Sequence, residues 1–121
     1  MSSEIHFKEH TDYLEIKYIG YNNIKEFFDS LETAFDICKK KNFTNIILDT
    51  IEVDFTNVQD MDRFYAGEKI AKVSCFPNNI KVAVVGPKKY YTGFADNVAT
   101  NRGAIIKIFQ NKNDAIKWIM K

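Results

Sequence analysis

The acidic residues near the middle of the chain are the side chains whose types could do chemistry: Asp49, Glu52, Asp54, Asp60 and Asp62. Carboxylates at the ends of strands can hold Mg²⁺ or work as acid–base pairs. Asp49 has the strongest case because it ends a short apolar run. Asp60 and Asp62 suit the first turn of a helix, where the helix dipole stabilises negative charge. With no partner motif beside them, we predict neither a catalytic pair nor a metal site, and assign Asp49 and Asp54 to a binding surface.

Histidines and glycines do not form a recognisable site in this sequence. His6 and His10 lie in a predicted hairpin without Cys, Asp or a second His at a ligand spacing. Gly86 and Pro87 precede two lysines at a strand-to-helix turn, but the repeated glycines of a nucleotide loop are missing. We therefore predict no cofactor. Lys88 can meet an acidic partner, and Tyr90 is a candidate exposed aromatic for a protein contact or the rim of an apolar ligand site.

Thr56 and Asn57 are natural N-caps for the helix that follows the acidic loop. Thr56 with Gln59 fits a capping box, and Asn57 with Asp60 is the alternative register. A hydroxyl at this position could also be phosphorylated, because the helix dipole and the free N–H groups would receive the added charge. Thr56 is therefore a candidate phosphorylation site beside its capping role.

Hydrophobic periodicity predicts the elements that position these residues. Residues 5–9 and 13–19 alternate between apolar and polar, which indicates a hairpin. From Ile24 to Lys41 the apolar residues fall at spacings of three and four, which indicates an amphipathic helix. A second helix is predicted from about Val58 to Ser74, with its inward candidates Met61, Phe64, Tyr65 and Ala71.

Three short apolar runs, at 45–50, 80–85 and 104–109, read as strands covered on both faces. A third helix is predicted between the last two, with Tyr91 on its apolar face, and a C-terminal helix follows a reciprocal cap formed by Asn111 and Asp114. The order ββαβαβαβα predicts one α/β domain over residues 1–121. In it, an N-terminal hairpin leads into a mostly parallel sheet flanked by helices.

Composition narrows the class of protein. The 121 residues carry a formal net charge of +1, which offers no broad basic surface for nucleic acid. No apolar run is long enough for a membrane span. Cys38 and Cys75 stand alone in apolar patterns, which is typical of a reducing compartment. We therefore expect a soluble, cytoplasmic protein.

Taken together, the chain resembles the STAS superfamily, and within it the SpoIIAA-like group. The motifs that carry the resemblance are Ile46–Asp49, Met61–Phe64 with Gly67–Ala71, Lys81–Val85, Gly93–Asn97 with Asn101–Gly103, and Phe109 with Asp114–Trp118. The resemblance implies a domain that works by contact and not by turnover. Anti-sigma-factor antagonists of the superfamily carry a phosphorylatable Ser in an Asp-Ser-Ser-Gly loop. This chain has Phe55-Thr-Asn-Val58 in place of that loop. Only Thr56 could be phosphorylated there, and it lies one position away from the position of the Ser.

Three hypotheses for function follow. The first is a non-enzymatic regulatory module whose contact surface comprises the loop 50–57, the start of the second helix and the turn 86–91, with self-association through leftover apolar helix residues. The second is a carrier of a small apolar molecule or lipid, related to CRAL-TRIO domains, with its cleft between the third helix and the sheet. The third is a hydrolase built on Asp49 and Asp54.

Overall fold

The structure is a computed structural model that describes residues 3–20, 24–53, 60–74, 79–87, 100 and 103–121. The strands are β1 (Ser3–Glu9), β2 (Leu14–Gly20), β3 (Asn45–Val53), β4 (Lys81–Val85) and β5 (Ile105–Phe109). The helices are α1 (Ile24–Lys41), α2 (Asp60–Ser74) and α3 (Lys112–Ile119). Apart from Thr100, the predicted third helix, with Tyr91, lies outside the described residues, as do the predicted first residues of the second helix.

The strands form one sheet in the order β1-β2-β3-β4-β5. β1 and β2 are the predicted antiparallel hairpin, closed by a hydrogen bond from the His10 N–H to the Tyr13 carbonyl. β2, β3, β4 and β5 are all parallel to one another. The predicted α/β architecture with a mostly parallel sheet is therefore confirmed.

The two faces of the sheet carry different helices. We call the face that α1 and α2 cover the α1 face, and the face that α3 covers the α3 face. The larger apolar cluster lies on the α1 face and includes the strand residues Leu14, Ile16, Tyr18, Ile46, Leu48, Val82 and Val84. A smaller cluster lies on the α3 face, where Ile47, Ala83 and Val85 pack against Ala115 and Ile119. The strand residues alternate between the two clusters because successive side chains of a strand point to opposite faces.

Helix α1 shows how the local sequence determines an element and its end. Its buried residues Leu31, Ala34, Phe35 and Cys38 repeat at the predicted helical spacing and pack into the larger cluster. The helix stops at Asn42, whose φ of 62° is left-handed, and the Phe43 N–H bonds back to the Cys38 carbonyl at 3.0 Å. This is the hydrogen bond of a Schellman motif, and Asn tolerates that conformation better than most residues.

One inward residue of α2 was predicted wrongly. Tyr65 is 46% exposed, whereas the buried positions among residues 65–74 of α2 are Gly67, Ile70, Ala71 and Ser74. These four positions recur at spacings of three and four, so they define one stripe, and Tyr65 lies almost opposite to it around the helix. The prediction for Ala71 is confirmed. The side chains of Met61 and Phe64 lie outside the described part of the structure.

Helix α3 begins with the predicted cap. The Asn111 side-chain oxygen accepts a hydrogen bond from the Asp114 N–H at 2.9 Å. The second bond differs from a capping box, because the Asn111 amide donates to the Asp114 carboxylate at 3.0 Å instead of its backbone doing so. The cap fixes the start of the helix at Lys112, whose side chain reaches into the site described next.

Candidate functional site

Asp49 lies on β3 facing the α3 face, and it is only 3% exposed. Its Oδ1 accepts a hydrogen bond from the Ile51 N–H at 3.2 Å. Its Oδ2 lies 3.2 Å from the Lys112 Nζ at the start of α3. A buried carboxylate needs such partners, since leaving it unpaired would carry a large desolvation penalty. Asp49 therefore anchors both the end of β3 and the first turn of α3.

Lys112 joins Asp49 to a second buried carboxylate. Its Nζ donates to Glu15 Oε2 at 2.5 Å, and Glu15, on β2, is 7% exposed. The other oxygen of Glu15 accepts a hydrogen bond from the His10 Nε2 at 2.8 Å. The His10 ring in turn stacks on Tyr13 at a centroid separation of 4.3 Å. We call His10, Glu15, Asp49 and Lys112 the charge cluster.

Two members of the charge cluster, Glu15 and Lys112, have shifted pKa values. Burial alone would raise the pKa of Glu15, but the hydrogen bonds from Lys112 and His10 outweigh burial and hold that pKa below its ordinary value. For Lys112, burial would lower the pKa, and the bonds to Glu15 and Asp49 raise it instead. The contacts thus favour the ionised forms of Glu15 and Lys112. The cation of the cluster also occupies the first residue of a helix, where only nearby anions compensate the unfavourable dipole.

This arrangement is poorly suited to catalysis. A general acid or base needs a proton position that substrate can reach, whereas both carboxylates here are buried and bonded to protein groups. Within the described ranges, no group of three or more His, Cys, Asp or Glu residues is arranged to hold a metal ion. The cluster holds the end of β3 and the first turn of α3 in place. Groups that a partner can reach must be sought among the exposed residues nearby.

Exposed groups lie near the carboxyl ends of the parallel strands. We define the carboxyl edge as residues 50–53 and 86–87. Ile51 is 47% exposed there. Beside it, the Glu52 carboxylate pairs with Lys17 of β2 at 2.7 Å. The Thr50 hydroxyl donates to the Val85 carbonyl at 2.8 Å, which ties β3 to the end of β4. An apolar side chain with a polar rim is therefore held on an ordered backbone.

β3 runs to Val53, three residues past its predicted end at 50. The added residues belong to β3 because Glu52 and Val53 pair with β2. The register shifts between Lys17 and Ile19, so that Ile19 lies opposite Glu52. Thr50 and Ile51 therefore lie opposite the single residue Tyr18, which gives β3 the extra residue of a β-bulge.

The predicted site residues are only partly covered by the structure. Asp49 lies at the expected end of the sheet, and because it is buried, any effect on a partner would pass through Lys112 or the Ile51 backbone. The other predicted contacts lie outside the described residues: Asp54, Thr56, Asn57, Lys88 and Tyr90. Their partner contacts, and phosphorylation of Thr56, stay predictions.

Sequence reasoning missed Glu15, His10 and Lys112 as companions of Asp49. The alternation of residues 13–19 puts Glu15 on the polar face of its strand, which gave no reason to expect it to be buried. The other partner could not be read from the sequence, since Lys112 is 97 positions away from Glu15.

A concave surface separate from the carboxyl edge lies between α1 and α2. It is an open groove of about 540 Å³ lined by Phe28, Tyr65, Glu68, Lys69, Ala71 and Lys72. Lys69 pairs with Glu32 across the two helices and lies 5.8 Å from the centre of the Phe28 ring. This groove is not the cleft predicted for a lipid carrier. That cleft adjoins the predicted third helix, outside the described residues, so the carrier hypothesis stays a prediction.

No helix in the described part of the chain combines the length and the apolar character that crossing a membrane requires. Comparison with family models and with curated proteins gives no match. Comparison with solved structures does. An anti-sigma factor antagonist from Mycobacterium paratuberculosis superposes with a TM-score of 0.66 at 12% identity, over 99% of this chain and 96% of its own.

Two further solved structures agree. An uncharacterised DUF3478-family protein with a SpoIIAA-like fold, from Shewanella loihica PV-4, gives a TM-score of 0.56 at 20% identity, over 97% of this chain and 93% of its own. The protein TM1081, solved by NMR, gives 0.60 at 17% identity, over 100% and 98%. The chain has a STAS/SpoIIAA-like fold. The fold expected from the resemblance is thereby confirmed.

Proposed function

We infer that the protein is a non-enzymatic regulatory module that binds another protein at the carboxyl edge. The observation that carries this proposal is the presentation of Ile51. Its side chain is 47% exposed, while its own N–H is bonded to the buried carboxylate of Asp49. An exposed apolar residue on a fixed backbone loses little conformational freedom on binding, so it suits the centre of a contact surface.

The surroundings of Ile51 support the same reading. The Lys17–Glu52 ion pair beside it is exposed, as the rim of a protein interface commonly is. The partner that fits this surface has an apolar pocket or patch bordered by charges of both signs. Asp54, Thr56 and Asn57, which follow β3 in the sequence, would extend the contact, and a phosphate on Thr56 would change its charge.

Two observations favour binding over turnover. Both carboxylates of the charge cluster are buried and engaged, so the hydrolase hypothesis retains no accessible acid among the described cluster residues. The Mycobacterium paratuberculosis protein with the same fold is named for an action on another protein, as an antagonist of an anti-sigma factor. We place the module in the cytoplasm, in keeping with the unpaired, buried thiol of Cys38.

The test is a binding comparison with a matched control. Tagged wild-type protein would be used to capture partners from its own cells, and a captured partner would be identified by mass spectrometry and then purified. Ile51→Asp should lower the affinity for that partner at least tenfold, because it places a charge at the centre of the contact. Asp54→Lys and Thr56→Glu should also weaken binding.

Ile105→Asp supplies the control. Ile105 is 49% exposed, nearly as much as Ile51, but it begins β5 and so lies at the opposite end of the sheet. It should leave the affinity unchanged. Equal affinity of Ile51→Asp and the wild type would contradict the carboxyl edge as the binding surface, and circular dichroism would verify that each variant is folded.

A further inference from the structure

β1 is an edge strand with a free side. It pairs with β2 along seven residues, from Ser3 opposite Gly20 to Glu9 opposite Leu14. No other strand of the described chain lies beside it. An edge strand points alternate N–H and C=O groups away from its neighbour, and these groups can pair with another strand. β1 is therefore a template for one more strand.

The side chains of β1 divide between the two faces. Ile5 packs against the larger cluster of the α1 face, and Phe7, two residues on, is 40% exposed. Glu4, His6 and Lys8 occupy the other face, where all three are exposed. Within the described residues, Glu4 forms an ion pair only with His6, at 3.3 Å, and Lys8 forms none. The strand thus offers an uncovered aromatic ring and an unpaired cation.

We propose that β1 pairs antiparallel with β1 of a second copy of this chain, about a two-fold axis through His6. This pairing puts Glu4 of each copy opposite Lys8 of the other, and Ile5 opposite Phe7. Side chains of opposite charge, and apolar side chains, stabilise the pairing of antiparallel strands when they lie directly opposite each other. Each favourable pair occurs twice because a two-fold interface is self-complementary.

The geometry selects this register. Directly opposed residues of antiparallel strands lie on the same face of a sheet, so the axis must pass through a residue. An axis through Ile5 would oppose Glu4 to His6, and an axis through Phe7 would oppose His6 to Lys8. Both alternatives lose the Glu4–Lys8 pairs and pair fewer residues of β1. Only the axis at His6 pairs all seven.

The other edge of the sheet lacks this self-complementarity. β5 has five residues, and an axis through its centre would oppose Lys107 to its own copy. Like charges in directly opposed positions destabilise a strand pair. The second copy therefore fits β1. This inference is independent of the partner proposed for the carboxyl edge, and it assigns self-association to a strand, whereas the sequence suggested the helices.

A charge-swap series tests the pairing by sedimentation velocity at low ionic strength, where charge pairs are least screened. The wild type should dimerise with a measurable dissociation constant. Glu4→Lys opposes Lys to Lys8 twice, and Lys8→Glu opposes Glu4 to Glu twice, so each should weaken the dimer roughly tenfold. The double variant Glu4→Lys/Lys8→Glu restores opposite charges and should recover the wild-type constant.

Asp29→Lys is the matched control, because it makes the same change of charge at a position on α1 that is 63% exposed. It should leave the dimer unchanged. Hydrogen exchange adds a second readout, since the outward amides of β1 should exchange more slowly as protein concentration rises.

Three results would overturn the proposal. They are a wild type that is monomeric up to millimolar concentration, a dimer that Glu4→Lys does not weaken, and a dimer without added protection in β1. The last two would assign dimerisation to another surface of the molecule.

Discussion

The two faces of the sheet solve different problems with the same strands. On the α1 face, fifteen buried residues of the part of the chain that the structure describes form one cluster. Their side chains are purely apolar except for the hydroxyl of Tyr18 and the thiol of Cys38. On the α3 face, five buried residues of the described ranges pack together, and the charge cluster lies beside them. Neighbouring residues of β3, such as Ile47 and Leu48, belong to different faces.

The difference suggests a division of roles. Apolar burial is non-directional and scales with area, so the larger cluster is expected to supply most of the stability. Buried ionic groups contribute less net free energy, but their geometry is specific. Lys112 contacts Glu15 of β2 and Asp49 of β3, so the charge cluster fixes where the first turn of α3 lies. The charge cluster also holds the end of β3 in place at the carboxyl edge, because Asp49 accepts a hydrogen bond from the Ile51 N–H.

The largest expected effect comes from removing core volume on each face. Leu48→Ala should lower the free energy of unfolding by about 3 kcal/mol, because it leaves a cavity in the larger cluster. Ile47→Ala should lower it by about 2 kcal/mol, since the eight-residue α3 can shift toward the space. Urea unfolding would measure both.

Ile51→Ala controls for the strand itself, because Ile51 is exposed on the same β3. It should change the free energy of unfolding by less than about 0.5 kcal/mol. A larger loss for Ile47→Ala than for Leu48→Ala would reverse the ranking of the two faces.

The α1 face could largely be predicted from the sequence, because its elements are regular. The apolar spacing of α1 predicted its extent from Ile24 to Lys41, and the structure confirms both ends. The strand runs at 45–50, 80–85 and 104–109 were also recognised, since apolar residues on consecutive positions indicate burial on both sides. The prediction for Tyr65 was wrong because α2 has weak amphipathic character, so the apolar residues of its sequence do not mark one face clearly.

The α3 face could not be predicted in the same way. Its charge cluster joins residues of the hairpin, β3 and α3, and no local pattern connects Glu15 with Lys112. The cap at Asn111 was predicted because it depends on two residues three positions apart. What the capped helix then contacts depends on the packing of the whole chain. Local signals therefore predicted the start of α3 and not the role of its first residue.

An intermediate effect is expected from Lys112→Met, which keeps the aliphatic stem and removes the charge. It leaves the buried Glu15 and Asp49 without their cation, which should lower the free energy of unfolding by about 1–2 kcal/mol at neutral pH. The loss is moderated because the Lys112 side chain is 36% exposed. Urea unfolding measures it.

The matched control is Lys17→Met. Lys17 also pairs with a glutamate at short distance, but in that pair both side chains are exposed. Exposed pairs contribute little, so stability should be nearly unchanged. In addition, Lys112→Met should cost less in a Glu15→Gln background than in the wild type. Equal costs in the two backgrounds would mean that Lys112 and Glu15 do not stabilise each other.

The smallest effect concerns pH. Because Lys112 and His10 hold the pKa of Glu15 below its ordinary value, its stabilisation is complete above the pKa of an unfolded glutamate, about 4.3. It is lost as pH falls through the lower folded pKa. The free energy of unfolding of the wild type should therefore fall more steeply below about pH 4.3 than that of Glu15→Gln.

The pH effect should stay below that of Lys112→Met, because a protonated Glu15 can still accept a hydrogen bond from the Lys112 Nζ. Urea unfolding from pH 6 to pH 3 measures both slopes, and Glu52→Gln removes an exposed carboxylate as the control. If Glu15→Gln kept the wild-type slope, Glu15 would ionise alike in the folded and unfolded chains. The ionisation of Glu15 would then add nothing to the α3 face, and the contrast in kind between the two faces would rest on the Asp49–Lys112 pair alone.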